Sequence, residues 1–108
     1  MIFEQRIYTV APGKMPDLQN RFRDHTLRIW QKYDIKPIAF FTPIIASNNN
    51  QLIFILEFRD LAHRETAWAA FMADTEWQDV LAKSNANGII VTNVENKILA
   101  ATDFSPIK

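Results

Sequence analysis

The chain has no cysteine, which excludes disulfides, thiolate metal sites and cysteine nucleophiles. Histidine is scarce: His25 and His63 are the only two, too few for most zinc or copper sites. No metal and no cofactor is expected. An excess of one charge is absent as well, because 12 basic residues meet 12 acidic ones and the formal net charge is zero. A balanced chain exerts no long-range pull on phosphate backbones or anionic lipid, so nucleic acid is not an expected partner. No apolar run approaches the roughly 20 residues of a membrane-spanning helix. The opening MIFEQRIYTV carries Glu4 and Arg6 and reads as neither a signal nor a transit peptide, so a cytoplasmic location is expected. No repeat or low-complexity linker interrupts the 108 residues, which read as one domain, 1–108. Such a length buries roughly two-thirds of its unfolded surface, enough for a core without staples.

What is present is periodicity. Ile2 to Val10 is rich in Ile, Phe, Tyr and Thr and reads as a strand, punctuated by Pro12-Gly13. A helix to about Tyr33 follows, with apolar positions Met15, Leu18, Phe22, Ile29 and Tyr33 at three- and four-residue steps. Ile35 to Ala46 reads as a second strand, with Pro37 and Pro43 confining it to an edge or forcing bulges. Asn48-Asn49-Asn50 marks a turn, since Asn tolerates positive φ. Gln51 to Arg59 alternates as a third strand and runs straight into a helical region ending near Lys83. Asp60 stands at that junction in the N-cap place, and Asp74-Thr75 signals a break or restart. Gly88 suits the end of the region, and Ile89 to about Leu99 is a fourth strand.

The order βαββαβ is the ferredoxin-like pattern, an α+β fold with a four-stranded antiparallel sheet and two helices on one face. Leu52, Phe54, Leu56 and Phe58 occupy one side of the third strand, and Ile53 and Ile55 the other. Helices cover one face only, so the apolar remainder predicts a partner, met by two sheets packing face to face.

Four stretches carry a family likeness: Glu4-Gln5-Arg6-Ile7-Tyr8-Thr9 with Pro12-Gly13-Lys14; the helix with His25 in its middle; Phe58-Arg59-Asp60-Leu61-Ala62-His63-Arg64 leading to Asp74-Thr75-Glu76-Trp77; and Phe104-Ser105-Pro106. In this order the chain resembles the NIPSNAP family of the dimeric α/β-barrel superfamily. It departs from the family at Leu56 and Phe58, where a Trp-x-Tyr pair is common, and at Thr75, where proline is common. The resemblance implies a homodimer and a histidine at the place of His25, but no defined activity.

Candidate chemistry centres on His25, which the helical spacing places on the apolar stripe, facing the sheet beside a cavity. An imidazole there suits acid–base work; the competing reading is a core histidine satisfied by a carbonyl or by Tyr8. Arg6 and Tyr8 share a strand face with Glu4. Arg6 suits a carboxylate or enolate and Tyr8 a proton donation, whereas the bland reading is a Glu4–Arg6 cross-strand pair at the dimer interface. Trp30, Phe40, Phe41, Trp68, Phe71, Met72 and Trp77 either wall a hydrophobic pocket or fill the core. His63 is expected to face solvent, and Asp60 with Arg64 to form a local ion pair. The candidate ligand-binding set is thus His25, Tyr8, Arg6, Trp30 and Phe41, serving a small hydrophobic or aromatic ligand between helices and sheet. The alternatives are a non-catalytic interaction module and a cofactor-independent monooxygenase. Haem-degrading relatives in the superfamily place a haem-ligating His after a helical Trp; this chain has Trp68 but no histidine after His63, which counts against that chemistry.

Overall fold

A computed structural model describes all 108 residues. The order along the chain is β1 Ile2–Val10, α1 Met15–Arg21, a π-helical turn Phe22–Thr26, α2 Leu27–Gln31, β2 Lys36–Phe41, β3 Gln51–Phe58, α3 Leu61–Ala73, α4 Thr75–Ser84 and β4 Val91–Ala100. The four strands form one antiparallel sheet in the order β2-β3-β1-β4. This is the expected α+β, ferredoxin-like βαββαβ fold, with its helices on one face.

The alternation of β3 becomes alternation of burial. Leu52, Phe54, Leu56 and Phe58 are buried, and the residues between them are half-exposed. Against that buried row pack Leu18, Phe22, Ile29 and Trp30 from the first helical rod, which is α1, the π-turn and α2 in succession, Ala67 and Phe71 from α3, and Trp77 and Val80 from α4. Phe22 sits at the aromatic centre, edge-on to Trp30, Phe40 and Phe54 at centroid distances of 5.6, 5.3 and 5.6 Å. Each fully buried large side chain of this kind is worth about 1.5–3 kcal/mol in transfer free energy. The opposite face carries Phe3, Ile7, Ile53, Ile55 and Leu99 in register across β3, β1 and β4, with no helix over it. The chain's end reaches one corner of this face, where Phe3, Ile38, Ile55 and Leu99 share a shallow pocket with Thr102, Ser105 and Ile107.

Pro37 has the expected consequence, since the β2–β3 register shifts between Pro37 and Ala39. β2 is shorter than expected and stops at Phe41, two residues before Pro43. The asparagine turn forms without positive φ: Asn48 Oδ1 accepts from the Asn50 N–H at 2.8 Å, and the only non-glycine residue in the left-handed region is Asp34, at φ 57°.

Both caps read from the sequence are present. Asp60 Oδ1 accepts from the His63 N–H at 2.8 Å. Asp74 adopts an extended backbone (ψ 125°) that ends α3, and its Oδ1 caps α4 by accepting from the Trp77 N–H at 2.7 Å. Asp60→Ala is expected to lower stability by about 1 kcal/mol through loss of the cap. Urea denaturation checks this, and an unchanged midpoint would deny the cap any net role.

Two local expectations are corrected. Arg64 does not pair with Asp60; its guanidinium reaches Glu4 at 2.8 Å and Glu65 at 2.6 Å. The sheet brings Glu4 under α3, and a buried carboxylate attracts a guanidinium more strongly than a solvated cap does. His63 does not face solvent, because its side chain is 9% exposed. Its Nδ1 accepts from the Arg59 N–H at 3.0 Å, and its Nε2 lies 3.0 Å from the Asp34 carbonyl. The ring stands edge-on to Phe58.

Candidate functional site

The candidate residues separate into three places. The first is a half-open cleft of about 280 Å³ between the first helical rod and the β2–β3 edge, lined by Phe22, Leu27, Phe40, Phe41 and Leu52 with Gln19 and Arg23. Phe41 is its most exposed apolar member at 54%. It ends β2 beyond the reach of the core, so its ring stands free at the rim. Trp30 is fully buried behind the cleft, stacked on Phe40 at 6.4 Å and edge-on to Phe22. Arg23 holds Gln19 and Asn20 side-chain oxygens at 3.0 and 3.1 Å. Of the expected set, this cleft brings together Phe41 directly and Trp30 through Phe40. Sequence reading missed Phe22, Leu27 and Leu52 as lining residues; periodicity marks Phe22 and Leu52 only as core, and Leu27 lies off the apolar stripe.

The second place is a charged knot on the helix side of the sheet. Glu4 is fully buried. Its carboxylate accepts from Arg6 at 2.8 Å, from Arg64 at 2.8 and 3.0 Å, from Asn96 at 3.0 Å and from the Trp68 indole N–H at 3.3 Å. Burial alone would raise its pKa. The hydrogen bonds from Arg64 and Asn96 and the charge of Arg6 outweigh burial and hold it at about 2. Arg6 lies 4.6 Å over the Trp68 ring and 5.7 Å from that of Tyr8, and Tyr8 stands edge-on to Phe54 at 5.0 Å. The Glu4–Arg6 pair therefore exists, within one strand and on the helix side of the sheet. Every short polar approach to Glu4 is taken by this chain's own donors. A saturated carboxylate of this kind locks structure; it has no lone pair left for substrate.

The third place corrects the position of His25. It is half-exposed and lines a polar groove between the first helical rod and α4, on the side away from the sheet. The cause is the π-turn. The Leu27 N–H donates to the Phe22 carbonyl, five residues back, so one extra residue enters the turn. Thr26, rather than His25, then falls on the buried side, with its hydroxyl donating to the Arg21 carbonyl at 3.2 Å. His25 and Tyr8 are thus on opposite sides of the rod and do not form one site.

The groove, about 490 Å³ in volume, also includes Arg21, Ser84, Asp24, Asp17, Asp79, Lys14 and Lys83. Arg21 is 7% exposed. Its Nη1 donates to Ser84 Oγ at 3.1 Å, and its guanidinium lies 5.5 Å from the Trp77 ring centre. Burial pulls its pKa below the ordinary guanidinium value, opposed by Tyr8. Above the groove, Glu76 clasps Arg28 at 2.8 Å and Lys32 at 3.1 Å, and Tyr33 donates to Asp74. These contacts tie α2 to α4. No group of three or more His, Asp or Glu side chains is arranged to hold a metal, and no helix is long and apolar enough to cross a membrane.

Solved structures share this architecture. A NIPSNAP-like domain protein from Burkholderia xenovorans, uncharacterised, is 28% identical, with a TM-score of 0.85 over 97% of this chain and 88% of that one. A NIPSNAP family protein from Agrobacterium tumefaciens strain C58 is 27% identical, with a TM-score of 0.88 over 99% and 98% of the two chains. An antibiotic biosynthesis monooxygenase shares the fold alone, at 14% identity and a TM-score of 0.59 over 94% of this chain and 99% of that one. No curated protein matches. The NIPSNAP family profile matches residues 3–106, nearly the whole ferredoxin-like frame from Phe3 on β1 to Pro106 in the tail, and the chain belongs to the NIPSNAP family.

Proposed function

We propose that this NIPSNAP protein, a single domain over 1–108, binds a small apolar or aromatic ligand in the cleft between the first helical rod and the β2–β3 edge. We further propose that it works as a cytoplasmic homodimer. The observation that carries the binding reading is the cleft itself: five apolar side chains surround about 280 Å³ of half-open space, while the neighbouring core is closed and aromatic. Such concavities with an apolar lining and a few polar rim groups are the usual form of small-molecule sites. Gln19 and Arg23 supply the rim polarity. The free sheet face, with Ile7, Ile53 and Ile55 in register, supports dimerisation. A second copy packed against it removes those side chains from water on both chains.

Trp30 lies within van der Waals range of the cleft wall through Phe40 and Phe22, so its fluorescence reports occupancy. A thermal-shift screen of small aromatic and aliphatic compounds is expected to yield stabilising hits, since binding to the folded state raises apparent stability. Phe41→Ala is expected to weaken such a hit about tenfold, because truncating an aromatic contact costs on the order of 1.4 kcal/mol. The melting temperature of the unliganded variant should hardly change, as Phe41 is mostly exposed. A hit whose affinity ignores Phe41→Ala binds elsewhere, and a screen with no hit at all removes the reading.

A further inference from the structure

The groove between the first helical rod and α4 holds a charge pattern that the protein leaves unfinished. Arg21 is 7% exposed, yet no carboxylate of the chain pairs with it. Its only acceptor is the neutral Ser84 hydroxyl, and its Nε is buried without a partner. A guanidinium stays charged at any physiological pH, and a buried charge with no counter-ion is costly. Arg6 and Arg64, also sheltered, both pair with Glu4, and Arg64 pairs with Glu65 as well. Arg21 is the exception among the buried cations, and it lines a groove of about 490 Å³ that opens to solvent.

The groove rim, by contrast, is paired within itself except at one carboxylate. Lys14 pairs with Asp17 at 3.9 Å, Lys83 with Asp79 at 2.9 Å, and Glu76 with Arg28 and Lys32. Asp24, which also lines the groove, has no cationic partner and no hydrogen bond. Of the four carboxylates that line the groove, Asp24 alone is left without a cation. A dianion such as phosphate would gain Arg21 but meet Asp24 uncompensated. A bare cation would gain Asp24 but nothing at depth. A ligand carrying both signs close together satisfies the two ends at once.

We propose that this groove is a receptor for a small zwitterion of the amino-acid type, its carboxylate on Arg21 and its ammonium toward Asp24. Arg21, Asp24 and His25, spaced i, i+3 and i+4, share one side of the rod and line the groove, while Phe22 and Thr26 stay buried. This site is separate from the apolar cleft, which lies against the sheet.

Four matched probes test the inference by isothermal titration of the intact protein: norvaline, pentanoate (the same acid without its ammonium), butylamine (the same amine without its carboxylate) and inorganic phosphate. Norvaline is expected to bind in the millimolar range or tighter, with each of the other three at least about tenfold weaker. Arg21→Met keeps the length of the side chain and removes the charge. It is expected to abolish norvaline binding without lowering the melting temperature, because it deletes an uncompensated buried cation. Asp24→Asn, at the exposed rim, should weaken norvaline about tenfold and leave pentanoate unchanged. No norvaline heat at about 10 mM would overturn the proposal, as would equal affinity in Arg21→Met or a preference for phosphate.

Discussion

Glu4→Ala is expected to destabilise the protein by about 3–5 kcal/mol, the usual cost of removing one partner from a buried ion pair. The loss is large because one carboxylate serves five donor contacts from four side chains on three elements: Arg6 on β1, Arg64 and Trp68 on α3, and Asn96 on β4. Its removal leaves Arg6 without a carboxylate and Arg64 with Glu65 alone. Glu4→Gln preserves the volume and separates charge from packing; most of the loss is expected to remain. Acid should imitate the mutation. The folded pKa is about 2 against an ordinary 4.5, so the stabilisation is fully present above about pH 4.5 and is lost as pH falls toward 2. Urea titrations at pH 7 and pH 3 should therefore converge for wild type and Glu4→Gln on the acid side. A Glu4→Gln protein as stable as wild type at pH 7 would show the knot to be energetically neutral.

Ile53→Glu is expected to convert the proposed homodimer into a monomer. Ile53 lies opposite Ile7 on the free face, with Phe3, Ile55 and Leu99 on the same side. An obligate interface of this kind buries roughly 2,000 Å² or more in total, and an unpaired carboxylate at its centre costs about 3–5 kcal/mol per charge. Two-fold symmetry places that charge in the interface twice. Light scattering at micromolar concentration should report twice the chain mass for wild type and a single chain mass for the variant. The far-ultraviolet circular dichroism should be unchanged, because Ile53 does not touch the helix-side core. A wild type that scatters as a stable monomer would remove the face-to-face architecture.

The frame was legible because local chemistry and tertiary role agree along it. β3 alternates and buries every second residue, and Asp60 and Asp74 stand where caps are needed and accept the bonds expected of them. The site was less legible, for two reasons. A π-turn has no marker at the level of apolar spacing, so His25 reads as sheet-facing although a single added residue in the turn points it the other way; the Thr26 hydroxyl on the Arg21 carbonyl is its one visible support. Pairings at long sequence separation are also invisible locally. Arg64 reads as a partner of Asp60, four residues away, until the fold brings Glu4 beneath it, and the cover over His63 depends on Asp34 adopting a left-handed backbone.

The strand order also bears on how the molecule is made. β1 is central, flanked by β3 and β4, and Ile2 pairs with Ala100. Of these four strands, the one synthesised first thus waits for the one synthesised last. Until β4 leaves the ribosome, one edge of β1 stays bare and Glu4 lacks Asn96. Topologies dominated by such distant pairings pay loop-closure entropy before contacts reward it, and they fold slowly for their size. Nascent chains halted before residue 91 should therefore depend on chaperones, while those released beyond Ala100 should close the sheet in one cooperative step.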